Sequence, residues 1–331
     1  MWQVIGQDKV LALLDRSLEE NNIVHAYLLV GPHHVGKRTL ALNLAQALNC
    51  DGGKPPCGQC YSCRRILEHK HADVTFTGLN SRTEIGIDDM RELHHLANLP
   101  PYEGKCKVFI IDDAEYLSTE AANSLLKILE EPPPKVVWLL LTAEESRLLP
   151  TIISRCQRLE LKPVPLEQVE QILINLYNVD ASKAKLLTRL CHGCLGWALS
   201  SLANDILEQR SQRITKLSSL LTAKIEQSFA YAQELASQFS QNRRSVAEVM
   251  EIWFDWWRDL MLIKLGCKEA ITNIDYEMAL EKQAKSLSLN EIKEFLANLY
   301  LVQEEISKNV NPRLVLESLM LNLPRRENPK H

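Results

Sequence analysis

The sequence lacks an excess of positive charge. Its 331 residues include 38 lysines and arginines against 42 aspartates and glutamates, which gives a net charge of −4. A domain that binds DNA tightly by itself usually has a basic excess that neutralises phosphates and releases their counterions. The charge balance therefore argues against tight DNA binding by the isolated chain, and we expect any contact with DNA to be shared with partners.

Long apolar runs are missing as well. No stretch approaches the roughly 18 residues that a membrane span needs. The N-terminus, MWQVIGQDKV, carries charge and lacks the apolar core of a signal peptide. We therefore expect a cytoplasmic protein with no membrane partner. The composition, 46% hydrophobic and 24% charged, is that of a soluble globular protein, and the length suits two or three domains.

The first half of the sequence alternates apolar runs with helical patterns, which is typical of an α/β fold with a parallel sheet. Three buried strands are predicted, at residues 26–30 (AYLLV), 107–111 (KVFII) and 136–142 (VVWLLLT). Helices are predicted at residues 39–48 and at about 118–131, where three prolines stop the second one. Prolines around residues 163–165 predict a linker, and the sequence from Leu166 onward has a helical pattern.

A glycine-rich segment, GPHHVGKR from Gly31 to Arg38, follows the first predicted strand and opens a predicted helix. This context predicts a P-loop, in which Gly31 and Gly36 let backbone N–H groups face phosphate oxygens and Lys37 reaches the β- and γ-phosphates. A serine or threonine that binds Mg²⁺ should follow, but Arg38 stands there and Thr39 lies one residue late. An intact ATP site and a vestigial glycine turn both stay open, and efficient hydrolysis is not expected.

The acidic pair Asp112 and Asp113 follows the second predicted strand. Ligands of parallel sheets gather at the carboxyl ends of strands, so Asp112 is expected as the metal-side carboxylate of a nucleotide site. Asp113 replaces a water-activating glutamate and is one methylene shorter, and misplacing a base by about 1 Å can cost about two orders of magnitude in rate. Alone, the pair would be read as a solvated helix start; beside a P-loop, the nucleotide-site interpretation is favoured.

Four cysteines lie in one glycine- and proline-rich segment, at Cys50, Cys57, Cys60 and Cys63. Four thiolates at this spacing can surround one tetrahedral Zn²⁺, and a site with no open ligand position is structural. The alternative is four free thiols on a surface loop, which the spacing disfavours. We expect a zinc module at about residues 50–63.

Four segments together resemble a known family, the bacterial clamp-loader ATPases, which are the gamma/tau and delta-prime subunits of DNA polymerase III. These segments are HAYLLVGP at residues 25–32, the four-cysteine insert, NSLLKILEEPP at 123–133 and SRC at 154–156. The resemblance covers nearly all of residues 4–160. It implies an AAA+ nucleotide-binding-like domain at residues 1–161, a helical lid domain at 162–207 and an all-helical collar for oligomerisation at 208–331.

The resemblance also implies residue roles. The arginine of SRC, here Arg155, is an arginine finger in the family and reaches the ATP of the adjacent subunit, a role that suits a planar and always-charged guanidinium. Without the family match, an arginine that ties down a loop would be favoured. Thr142 stands at the family's sensor-1 position, and Gly196 stands where the lid motif normally supplies a sensor-2 arginine.

Three departures from the family pattern agree: Arg38 replaces the hydroxyl that binds Mg²⁺, Asp113 replaces the catalytic glutamate, and Gly196 replaces the sensor arginine. A subunit that has lost its own motor residues and retains the finger resembles the delta-prime type. A gamma/tau subunit should retain all three, and the chain length leaves no room for the tau extension.

The resemblance therefore implies a stator-like subunit of a pentameric clamp loader, in which ATP hydrolysis belongs to the neighbours. The implied partners are the gamma/tau and delta subunits and, through the complex, the sliding clamp and primed DNA. Two alternatives stay open: an active gamma/tau-type ATPase and a zinc-bearing AAA+ adaptor outside replication. Aromatic stripes sometimes stack nucleic-acid bases and far more often form core. The helical stripe here, Trp253, Trp257, Leu260 and Met261, is expected to pack the collar against sister subunits.

Overall fold

The computed structural model describes residues 2–79, 82–241, 243–307 and 310–325. The chain divides into two compact units, one extending to Pro165 with the addition of Gly193–Trp197, and one formed by Leu166–His192 and the residues from Ala198 onward. The linker predicted around residues 163–165 thus coincides with a boundary, whereas the finer division into lid and collar stays a prediction. Among the described residues, no helix combines the length and the apolar character needed to cross a bilayer.

The first unit contains a five-stranded sheet. Its strands are β1 (Ala26–Val30), β2 (Val74–Thr77), β3 (Lys107–Ile111), β4 (Val136–Thr142) and β5 (Gln157–Glu160). All neighbouring pairs are parallel, in the order β2-β3-β4-β1-β5. At the carboxyl end of β1, Val30 pairs with Thr142 on one side and Glu160 on the other. The loop after β1 therefore begins inside the carboxyl edge of the sheet, where ligands of such sheets bind.

Helices cover both faces of this sheet. They are α1 (Asp8–Glu19), α2 (Lys37–Leu48), α3 (Tyr61–Leu67), α4 (Ile87–Ala97), α5 (Thr119–Glu130) and α6 (Pro150–Ile153), with 3₁₀ turns at Ala114–Tyr116 and Glu145–Arg147. Successive side chains of a strand point to opposite faces. Accordingly, Leu28 joins a core with α4 and α5, and Leu29 joins a second core with Leu40 of α2. Burial on both faces explains why β1, β3 and β4 are apolar throughout.

The second unit is helical in its described part. Its helices are α7 (Leu166–Asn175), α8 (Ala181–Leu190), the later part of α9 (Leu195–Ala203), α10 (Ile206–Leu220), α11 (Ile225–Gln241), α12 (Arg243–Lys264), α13 (Glu277–Ser286), α14 (Leu289–Ser307) and α15 (Pro312–Leu321). Short 3₁₀ turns lie at Lys268–Ala270 and Ile274–Tyr276. The helical character predicted from Leu166 onward is confirmed for these residues.

The aromatic stripe of α12 lies in the core of its own unit, so the prediction that it packs against sister subunits was wrong. Trp253, Trp257 and Leu260 are fully buried in the core of their own unit, and Met261 packs against that core. The ring centroids of Trp257 and Phe295 lie 4.4 Å apart. Aromatic side chains bury large apolar areas, and here they stabilise the chain's own fold.

The predicted α/β class with a parallel sheet is confirmed, and the three predicted strands have the predicted bounds. Two strands were not predicted. The residues of β2 are all half-buried, and β5 (QRLE) contains a single fully buried residue, Leu159. Both strands have four residues and lie at the edges of the sheet, so neither has an apolar run that would mark it in the sequence.

Candidate functional site

The predicted P-loop is a tight turn between β1 and α2. The Gly31 N–H donates to the Thr142 carbonyl at 3.2 Å, and a Cβ at Gly31 would lie 2.5 Å from the carbonyl oxygen of Leu161. Gly36, the N-cap of α2, has a φ of 110°, in the left-handed region that favours glycine. Both predicted glycines are therefore required by the local backbone.

Lys37 is the first residue of α2 and is 8% exposed. Its ammonium donates to the carbonyls of Gly31 at 2.5 Å and Pro32 at 2.9 Å. Burial lowers the pKa of Lys37, and the carboxylates of Glu115 and Asp112 oppose that shift. Lys37 is thus held by backbone carbonyls of the P-loop in which it was predicted.

Arg38 occupies the position where a magnesium-binding hydroxyl was expected. Its guanidinium carbon lies 4.0 Å from the centroid of the Phe76 ring on β2, an arrangement in which a cation is attracted by the ring face. A guanidinium has no lone pair to offer a metal ion. Thr39, the next hydroxyl, is half-buried on α2.

The acidic segment after β3 contains a residue that sequence reasoning missed. Asp112 and Asp113 follow the strand as predicted, and Asp113 has a φ of 55° and donates its N–H to Asp112 Oδ1 at 3.1 Å. Two residues later, Glu115 is 6% exposed and its Oε1 accepts the Ala143 N–H at 3.1 Å. Glu115 Oε2 is buried without a hydrogen-bond partner among the described residues. Among the nearby carboxylates, Glu115 has the largest electrostatic effect in raising the pKa of Lys37 against the effect of burial.

Thr142, at the predicted sensor-1 position, is fully buried at the end of β4. Its Oγ1 accepts the Glu144 N–H at 3.1 Å, so the hydroxyl caps the turn that follows the strand. Its carbonyl accepts the Gly31 N–H. Thr142 therefore joins the end of β4 to the P-loop.

Gly196, at the predicted sensor-2 position, lies directly against the P-loop. Its N–H donates to the His34 carbonyl at 3.1 Å, and a Cβ at this position would come within 2.6 Å of the same oxygen. Contacts under 3.0 Å are essentially never made by real Cβ atoms. The backbone therefore leaves no room here for the arginine that the family pattern would place at this position.

Arg155 lies two residues after α6. Its Nη1 donates to the Thr151 carbonyl at 2.9 Å, and its Nη2 donates to Glu130 Oε1 at 2.7 Å. The Arg155 side chain is 34% exposed, and the Glu130 side chain is 53% exposed. The predicted finger is thus a surface arginine whose direction is set by two contacts.

The four cysteines of the predicted zinc module converge. Their sulfur atoms all lie within 4.8 Å of one another, and the sulfurs of Cys57 and Cys63 are 3.9 Å apart. In a tetrahedral site with Zn–S bonds of about 2.3 Å, the sulfurs are about 3.8 Å apart. The cluster therefore fits one Zn²⁺ or a metal ion of the same size and softness.

Backbone N–H groups donate to the sulfurs of Cys57 and Cys60. Cys57 Sγ accepts from the N–H groups of Cys60 at 3.3 Å and Gln59 at 3.5 Å, and these hydrogen bonds lower the pKa of the Cys57 thiol to about 6. Cys60 Sγ accepts the Cys63 N–H at 3.4 Å and so caps α3. Burial raises the pKa of Cys63 because it disfavours the charged thiolate, and a bound cation would offset this effect.

Two family models match this chain. A family model described as the delta subunit of DNA polymerase III matches residues 6–165, and a second, for the C-terminal part of that subunit, matches residues 204–325. Together they cover most of the chain. This chain belongs to the clamp-loader family of DNA polymerase III subunits.

Relatives of this clamp-loader subunit include two types. The DNA polymerase III subunit delta-prime of Bacillus subtilis is 28% identical over 96% of each chain. The DNA polymerase III subunit tau of Escherichia coli is 30% identical over 96% of this chain, which spans only 52% of that longer protein. Among solved structures, a gamma subunit-related protein of Thermotoga maritima is 20% identical over 95% of this chain and 98% of its own, with a TM-score of 0.44.

In this clamp-loader subunit the cysteine cluster is anchored to the α/β core of the first unit. Gln46 of α2 donates to the Cys63 carbonyl at 2.8 Å. Asn49 Oδ1 accepts the N–H groups of Lys105 at 2.8 Å and Cys106 at 3.0 Å, which fixes the segment before β3 next to the cluster. The sequence revealed the cysteines but not this anchoring, because amide side chains on a helix have no recognisable spacing.

A second anchor of the same segment is Asp73. Its carboxylate is 2% exposed and accepts three backbone N–H groups, from Tyr102 and Glu103 at 2.8 Å and from Gly104 at 2.7 Å. Burial alone would raise the pKa of Asp73, but these hydrogen bonds outweigh it and hold the pKa below its ordinary value. The loop beside the cysteine cluster is therefore fixed at both ends.

Proposed function

We propose that this clamp-loader subunit is of the delta-prime type, a stator that does not hydrolyse ATP itself. The observation that carries this proposal is Arg38, whose guanidinium stacks on Phe76 at the position where Mg²⁺ would need a hydroxyl. The close contact between Gly196 and His34 supports it, because a sensor arginine has no space there. Asp113, which is shorter than the expected glutamate, points the same way.

The subunit's contribution to the reaction is Arg155, donated to the ATP site of an adjacent gamma/tau subunit. A guanidinium that is partly exposed and held in one direction can stabilise negative charge on a transferring phosphoryl group. Hydrolysis in the neighbours would then drive loading of the sliding clamp onto primed DNA. The partners in this proposal are the gamma/tau and delta subunits, with a collar within residues 208–331, a lid within 162–207 and a cytoplasmic location.

The cysteine cluster would hold one structural Zn²⁺ through Cys50, Cys57, Cys60 and Cys63. All four positions of a tetrahedral ion would be filled by sulfur, which leaves no position for substrate. The ion's contribution is to stabilise a segment with little apolar core of its own. A degenerate nucleotide site, at which efficient hydrolysis is not expected, is formed by Gly31, Gly36, Lys37, Thr39, Asp112, Asp113 and Thr142.

The main rival is an active gamma/tau-type ATPase, which the identity to the tau subunit of Escherichia coli favours. Steady-state ATP turnover by the isolated chain separates the two. We expect turnover at the level of a Lys37→Ala control, and strong turnover above that control would favour the rival. A failure to capture gamma/tau or delta in a pull-down would instead favour an adaptor outside replication.

The finger gives a prediction for the assembled loader. Replacing Arg155 by alanine should reduce clamp-loading and ATP turnover rates by roughly 10³-fold or more at the neighbour's site, since arginine fingers contribute about 10³ to 10⁵ in rate. Assembly should be intact, which size-exclusion chromatography of the complex would check. A matched control is Arg158→Ala, which removes a nearby arginine paired with Glu145. Equal rates for both variants would remove Arg155 from the mechanism.

A further inference from the structure

Glu130 is the residue whose contact with Arg155 the finger mechanism leaves unexplained. It is the last residue of α5, 25 positions before Arg155, and its Oε1 accepts Nη2 at 2.7 Å. The Thr151 carbonyl, on α6, accepts Nη1 at 2.9 Å. The guanidinium is therefore held between α5 and α6, elements that meet in the same core.

Stability does not account for Glu130. With side chains 34% and 53% exposed, an ion pair of this kind contributes little to folding, because water screens both charges. A carboxylate at the last position of a helix is also disfavoured by the negative end of the helix dipole. Neither the ion pair nor the helix end therefore gives Glu130 a clear role in stability.

The contact leaves the guanidinium able to act. Arginine has five N–H donors in a fixed plane, and the bonds to Glu130 and Thr151 use two of them. The side chain keeps about a third of its surface accessible. An arginine held in this way has already lost much of its rotamer freedom, so less entropy is lost when it meets a phosphate oxygen on a neighbour.

We infer that Glu130 is a positioning residue for the finger, which orients the Arg155 guanidinium through the 2.7 Å contact before the neighbouring ATP site closes on it. This inference rests on the proposed function, since it assumes that Arg155 acts in trans. Glu130 itself touches no substrate. Its effect on the reaction passes entirely through Arg155.

The test uses the reconstituted loader with ATP, the sliding clamp and primed DNA, and compares Glu130→Ala, Glu130→Gln, Arg155→Ala and the double variant Glu130→Ala/Arg155→Ala. Glu130→Ala should lower the maximal rate of ATP turnover by roughly 10- to 100-fold, because misplacing a catalytic group by about 1 Å can cost about two orders of magnitude. The KM for ATP and the melting temperature should be unchanged. Glu130→Gln retains an oxygen acceptor and should recover most of the rate.

The matched control is Glu131→Ala, which removes the adjacent exposed carboxylate and leaves the Glu130–Arg155 contact in place. It should behave like the unaltered chain. In the double variant, loss of Glu130 should add nothing to the loss caused by Arg155→Ala, because a residue that acts through another has no effect in its absence.

The outcomes separate the inference from the proposed function. If Arg155→Ala lowers the rate while Glu130→Ala does not, or raises it, the positioning role is overturned and the finger stands. A further loss in the double variant would also overturn it, since Glu130 would then act independently. If Arg155→Ala has no effect, the finger itself fails, and the inference fails with it.

Discussion

Gly196 lies against the P-loop, where its lack of a side chain has two consequences. Read from the sequence, it is the absence of an arginine. In the structure Gly196 also packs directly against the backbone of His34. Its N–H donates to the His34 carbonyl, and a Cβ would clash with the same oxygen. At this position the glycine lacks the charge that the family pattern would place beside the P-loop, and it lets the first residues of α9 approach the P-loop backbone.

Restoring the family's arginine at this position should not restore activity. Gly196→Arg should destabilise the chain by about 1–3 kcal/mol, since overpacking forces the backbone to shift, and should leave ATP turnover at background. Gly53→Ala is the control, because a Cβ there meets nothing within 4 Å. Thermal unfolding and a turnover assay on both variants give the answer, and a Gly196→Arg chain as stable as the control would contradict the packing argument.

Some residues of the site were readable from the sequence and others were not. Lys37 and Arg38 were predicted from their positions in the P-loop pattern, and the four cysteines were predicted from a spacing typical of zinc ligands. Glu115 and Glu130 were not, because what marks them is a contact made in three dimensions. Glu130 meets a partner 25 residues away, and Glu115 meets the N–H of Ala143, 28 residues away. A single sequence has no periodicity that encodes either contact.

At the level of elements, burial decides what can be predicted. The strands β1, β3 and β4 are covered on both faces and form continuous apolar runs, so their bounds could be read directly. The edge strands β2 and β5 are short and partly exposed, and their composition resembles that of a loop. For the same reason the helical stripe on α12 was recognised, but its burial within its own unit could not be distinguished from burial against a partner.

The cysteine module is an element whose stability should depend on metal. Protein purified without chelator should contain about one Zn²⁺ per chain, measured by metal analysis. Chelation should speed amide hydrogen exchange at residues 50–63 and leave the strands of the sheet protected, because those strands have their own apolar core.

Two cysteine variants provide the comparison for this module. Cys57→Ser removes one of the four clustered sulfurs and should lose most of the metal. Cys267→Ser changes a half-buried cysteine outside the cluster and should retain it. Identical zinc content in the two variants would exclude the cluster as the metal site.

At the scale of the whole molecule, the boundary between the two units was predictable from the prolines around residues 163–165. The boundary after Pro165 follows the linker read from the sequence, but the return of residues 193–197 to the first unit was not foreseen. That return depends on glycines. Gly193 has a φ of 81° and would bring a Cβ within 2.5 Å of the Val164 carbonyl, a close approach that only the fold reveals.

The overall charge supports a prediction about DNA. With a net charge of −4, the isolated chain should bind a primed duplex weakly, with a dissociation constant no tighter than about 10⁻⁴ to 10⁻⁶ M at physiological salt. Fluorescence anisotropy with labelled DNA would measure this, with the assembled loader as the comparison. Tight binding by the chain alone, steeply dependent on salt, would mean that a local basic surface outweighs the net charge.

Asp73 has a consequence for how the protein responds to acid. A carboxylate whose pKa is lower in the folded than in the unfolded chain stabilises the fold at every pH above its ordinary value of 3.8, and loses that contribution only as the pH falls through the lower, folded value. The hydrogen bonds from three backbone N–H groups to the Asp73 carboxylate should therefore not weaken with ordinary changes in cellular pH. The loop at residues 102–104 should therefore keep these three hydrogen bonds at any pH well above 3.8.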